Sequence, residues 1–359
     1  MATRRLWAWW AGVGLGFNEA CITGRLAVPE WCERTIVPPE AAIRVQLECH
    51  WMTPRHLDRR LRACVAIGLS SNAALTAVVA LDSGSLEVDM PAWLAIAASV
   101  AAAMALLGFA AGLYELFASS GDRSGAGHHP VAQSVIVASG SLMLALFAAT
   151  ALGRDTAFTT LAVATLLLVH LAATRFIPAV GLLVQAAVVA GLMLIPDWRM
   201  DLPVAVWVAM TITLLTVVGV HRLANQRPKL SMRGVAAVVG GWVLMSAVIL
   251  GLRKSVGLSI WPAEFHMGSL VWPMLGVLVL CVAVRWRLAG VTPDARAASG
   301  VVRVVALGQP LMAAAWCVSI ELMGAAISFL LVAVAATMLS GLARDLASLH
   351  PAHGPHWRR

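Results

Sequence analysis

"TAFTTLAVATLLLVHLAATRFIPAVGLLVQAAVVAGLMLIP" runs from Thr156 to Pro196, and Arg175 is its only charged residue. About 20 apolar residues make a helix long enough to cross about 30 Å of hydrocarbon. The stretch holds two such segments, parted at "TRFIP" (174–178), where an arginine and a proline favour a break. Similar runs recur from Ala63 to Ala343. They are continuous rather than alternating, which excludes a transmembrane β-barrel. Composition agrees: 60% of the 359 residues are hydrophobic and 12% charged, against about 25% charged in soluble domains. The sequence therefore predicts an all-α fold, a polytopic membrane bundle of about ten helices.

The expected spans are 63–81, 92–114, 130–152, 156–174, 177–196, 203–220, 234–252, 268–284, 301–320 and 323–343. Two hairpins fix the count, "LGRDT" (152–156) and "SIELMG" (319–324). Merging either pair of spans would change it. Three parts follow: an N-terminal segment 1–62, the bundle 63–343, and a C-terminal tail 344–359.

Basic residues concentrate in cytoplasmic loops of membrane proteins. With the N-terminus in the cytoplasm, 22 of the 26 lysines and arginines fall inside. Only Arg154, Arg199, Arg253 and Lys254 fall outside. Both termini are thus expected in the cytoplasm. The net charge of +8 reads as a topology signal, with no nucleic-acid partner expected. Cys21, Cys32 and Cys49 precede the first span, and Cys64, Cys281 and Cys317 lie within spans. No disulfide framework is implied. Alanine is abundant and arginines far outnumber lysines, which suits a GC-rich bacterium and its inner membrane.

Within 1–62, Leu6–Phe17 reads as a Trp-rich interfacial segment, with a short spanning or re-entrant helix as the alternative. "IRVQLECHW" (43–51) alternates like a strand. A helix opening near Pro39 is preferred, because no second strand is visible. "ECHWMTPRHLDRRLRAC" (48–64) holds cysteine and histidine, but its arginines make it the foot of the first span. The bilayer is the expected partner. The basic loops, 221–234 above all, would attract anionic lipid headgroups. A protein partner would dock at the N-terminal segment or at loop 221–234.

Polar groups in hydrocarbon are costly, so each needs a partner or a purpose. His170 and Gln185 fall on adjacent spans and read as an interhelical bond or the lining of a solute path. Gln309 precedes Pro310 inside span nine, where a proline frees a backbone carbonyl. Glu115 ends span two, beside Tyr114. Glu321 sits in the last hairpin, exposed if the turn lies there and buried if it shifts. In the outer loops, Glu264, His266 and Asp82 are the residues to watch for metal or acid–base chemistry. His350, His353 and His356 in the tail are spaced for weak metal binding. Gly108 and Gly112 form a small-xxx-small helix contact. No GxSxG, HExxH, CxxC or Walker-type motif is present, so no cofactor and no catalytic residue is assigned. The function expected first is a secondary permease for a small solute. A non-transporting anchor, sensor or assembly component is the alternative. A membrane enzyme acting on lipid or glycan comes third.

Overall fold

The computed structural model describes residues 55–119, 129–199, 203–223, 231–257, 266–291 and 295–349. Among these the fold is all-helical, without strands. The helices are α1 (Arg55–Asp82), α2 (Ala92–Ser119), α3 (His129–Leu152), α4 (Arg154–Phe176), α5 (Pro178–Leu194), α6 (Pro203–Leu223), α7 (Met232–Ser255), α8 (Val271–Leu288), α9 (Ala295–Ser319) and α10 (Met323–Leu349). Nine helices among the described residues are long and apolar enough to cross a membrane. The chain is a multi-pass apolar helical bundle. The tenth helix, α5, has 17 residues, or about 25 Å at the helical rise, and sits deep in the bundle.

Hydrocarbon offers no hydrogen bonds, so the spanning backbone must satisfy itself, and helix is the solution open to a single segment. That is why runs rich in valine and isoleucine are helical here. The breaks have local causes. Gly153 adopts φ 134 between α3 and α4, a conformation open to glycine. Ile177 alone separates α4 from α5, and Pro178 starts α5 with its φ already helical. Ser231 caps α7 by accepting from Gly234 N at 3.1 Å. The arginine-rich foot belongs to α1 itself from Arg55 onward.

Four helices form the centre: α1 packs on α5 and α9, and α6 closes the ring by packing on both α5 and α9. α2, α3 and α4 cover one side, while α7, α8 and α10 lie outside. Burial follows this order: 78% of the α1 span window is buried and 67% of that of α9, but 11% for α7. Exposed faces of α7, α8 and α10 carry leucine, valine and methionine, the surface a bilayer demands.

Gly108 and Gly112 are used within the chain. A Cβ at Gly112 would lie 2.8 Å from the backbone nitrogen of Ala138, and one at Gly108 would lie 2.9 Å from Ser141 Oγ. The small residues let α2 and α3 approach closely, as association between apolar helices in lipid requires.

Candidate functional site

The α1–α9 contact is the most unusual part of the bundle. Gly68, Asn72 and Thr76 recur every four residues, so they share one face of α1. The neighbouring hydroxyls close on their own helix: Ser71 donates to Ile67 O at 2.7 Å and Thr76 to Asn72 O at 3.2 Å. Asn72 looks across instead. Its Nδ2 donates to Gln309 Oε1 at 3.2 Å, and both residues are 3% exposed. Pro310 has no N–H, so the Ala306 carbonyl, one turn earlier, loses its helical donor. That carbonyl faces Gly68, where a Cβ would overlap it. Backbones this close make Cα–H···O contacts. Gly68 opposes Ala306 and Asn72 opposes Gln309, so α1 and α9 run parallel.

Asn72 and Gln309 lie near the middle of their spans, Leu61–Asp82 and Ala297–Ser319. Beside them is a cavity of about 10 Å³, walled also by Leu75, Met193, Ile212 and Trp316. That is room for about one water. All four central helices contribute to it.

His170 and Gln185 are both fully buried. Nδ1 of His170 lies 3.0 Å from Gly181 O. A carbonyl only accepts, so Nδ1 carries the proton in this bond. Gly181 and Gln185 are one turn apart on α5, so His170 reaches the face that carries Gln185. Val163 opposes Gly191 in the same way, which makes α4 and α5 antiparallel neighbours. The cavity lies elsewhere: neither His170 nor Gln185 lines it.

The remaining candidates separate. Glu115 is exposed and pairs with Arg62 at 3.1 Å, tying α2 to α1. Such pairs contribute about 0–1 kcal/mol. Glu321 is exposed in the α9–α10 turn, with φ 64. Leu322 N donates to Cys317 O at 2.9 Å and Glu321 N to Val318 O at 3.2 Å, the Schellman pattern that usually places glycine where Glu321 stands. Glu321→Gly should therefore raise stability by about 1 kcal/mol, read as a higher unfolding midpoint in detergent. Asp82 and His266 are exposed. Glu264, His350, His353 and His356, the whole of 1–54 and residues 224–230 of loop 221–234 lie outside the described residues. Among the described residues no three metal-ligating side chains converge, and Cys64, Cys281 and Cys317 are free thiols.

Two residues that bond across the fold escaped the sequence reading. Asn72 is one; its signal was the four-residue repeat with Gly68 and Thr76. Asp197 is the other, 9% exposed in the α5–α6 loop. Ser85 Oγ donates to its Oδ2 at 2.6 Å and Arg199 N to its Oδ1 at 2.8 Å. Arg253 Nη1 then donates to Arg199 O at 3.2 Å. This clasp joins the α1–α2 loop, the α5–α6 loop and the end of α7. Asp197→Ala should cost about 1.5 kcal/mol, the scale of a hydrogen bond to a charged group, seen as a lower midpoint. No protein-family model, curated protein or solved structure matches the chain.

Proposed function

We propose that the chain is a secondary permease for a small uncharged solute, with α1, α5, α6 and α9 as its translocation core. One observation carries the reading: a proline-freed carbonyl, a buried amide pair and a cavity coincide near the middle of the membrane. Transporters place substrate sites at the midplane, where helices are interrupted. The cavity lining has two amides and no ionisable side chain. A bare charge there would meet hydrocarbon without a counter-ion, so the solute is uncharged and recognised by hydrogen bonds. With room for about one water, the core as described is closed, and transport requires α1 and α9 to part.

The parallel α1–α9 pair and the antiparallel α4–α5 pair fit ten alternating passes, which supports both termini on one side. The basic-residue distribution favours the cytoplasm for that side, and the arginine-rich, alanine-rich composition suits a bacterial inner membrane. The closed centre also favours the second reading, a non-transporting membrane component. Flux separates the two. Proteoliposomes are challenged osmotically with glycerol or urea and followed by light scattering. The permease reading expects re-swelling about tenfold faster than in protein-free liposomes. Rates equal to the protein-free control for both solutes favour the non-transporting reading.

A further inference from the structure

A second cavity lies between α6, α8 and α9, at the Asp197 end of the bundle. It measures about 190 Å³ and is walled by Val204 and Val208 of α6, Pro273, Met274 and Val277 of α8, and Trp316 of α9. Its walls are apolar. It indents a face that points away from the bundle, where Val271 is 61%, Met274 67% and Leu278 59% exposed. Because these helices are membrane spans, hydrocarbon surrounds that face. Water does not fill an apolar cavity, and an empty one forfeits the dispersion contacts of its walls. The material next to the opening is lipid chain.

We infer that this cleft is a lipid site that holds one acyl chain of a bilayer phospholipid, against Met274 and Val277 and with the buried Trp316 behind its floor. Val208 and Trp316 also wall the central cavity. The indole therefore stands between the lipid chain and the Asn72–Gln309 pair. A bound chain holds Trp316 in place and keeps the amide-lined cavity sealed from the membrane. The site does not depend on the chain being a permease.

The test uses the full chain in liposomes containing a phosphatidylcholine with a diazirine on its acyl chain. After photolysis, adducts are mapped by peptide mass spectrometry. Ordinary surface lipid labels every exposed helix, so Leu244 and Val248 of α7, 66% and 52% exposed, set the background. Adducts at Met274 and Val277 are expected at about threefold that background or more. Val277→Phe fills the cleft from α8, and Val204→Phe fills it from α6. Whichever variant folds should return the cleft adducts to background while α7 labelling stays unchanged. Cleft labelling no higher than that of α7, or labelling that survives a filled cleft, overturns the site.

Discussion

Gly68→Val is expected to destabilise the bundle by about 3 kcal/mol, at the upper end of the cost of overpacking a core. The obstacle at Gly68 is the backbone of Ala306, its carbonyl oxygen and carbon both within reach of a Cβ. Rotamer changes relieve a clash with a flexible side chain, but here the helices themselves must move. Separating them also breaks the Asn72–Gln309 bond, whose 3.2 Å span tolerates little. The measurement is the unfolding midpoint in detergent. Gly68→Ala should already cost most of the effect, because the Cβ itself makes the overlap. A Gly68→Val protein as stable as the parent would show that α1 and α9 do not meet there.

Gly112→Leu is expected to cost about 3 kcal/mol by the same mechanism, at the α2–α3 interface. Its Cβ would press on the backbone nitrogen, Cα and Cβ of Ala138 at 2.8–3.0 Å. Gly108 gives an internal comparison. There the nearest atom is Ser141 Oγ at 2.9 Å, and a serine hydroxyl can rotate away. Gly108→Ala should therefore cost clearly less than Gly112→Ala. Equal costs would mean that the two glycines do not differ in what they face.

The positions of the helices were legible because hydrocarbon forces each long apolar run into helix. Hydropathy thus placed the passes, and glycine or proline placed the turns at Gly153 and Pro178. The hairpin at Glu321 was harder to place, since no glycine marks a turn that closes by a Schellman pattern. Which helices touch was not legible. In lipid every apolar face is equally content, so no hydrophobic stripe points to a partner. Asn72 and Gln309 are 237 residues apart. Gln309 drew attention because it precedes a proline, whereas Asn72 sits in "GLSSNAALT" among serines that bond to their own helix. His170 and Gln185 were found together for a sound reason, the short α4–α5 turn, but His170 reaches the α5 backbone at Gly181. Asp197 was hidden because its partner, Ser85, lies in another loop.

The proposed site is tested most directly by solute flux through Asn72→Leu/Gln309→Leu. Replacing both amides by apolar groups of similar size strands neither partner of that bond, so the fold should survive with a midpoint near that of the parent. A single replacement would instead strand the other amide. If the amide pair is where an uncharged solute is recognised, glycerol flux through the double variant in proteoliposomes falls to the protein-free background. Parental flux through a folded double variant would contradict the assignment of the site to the α1–α9 contact.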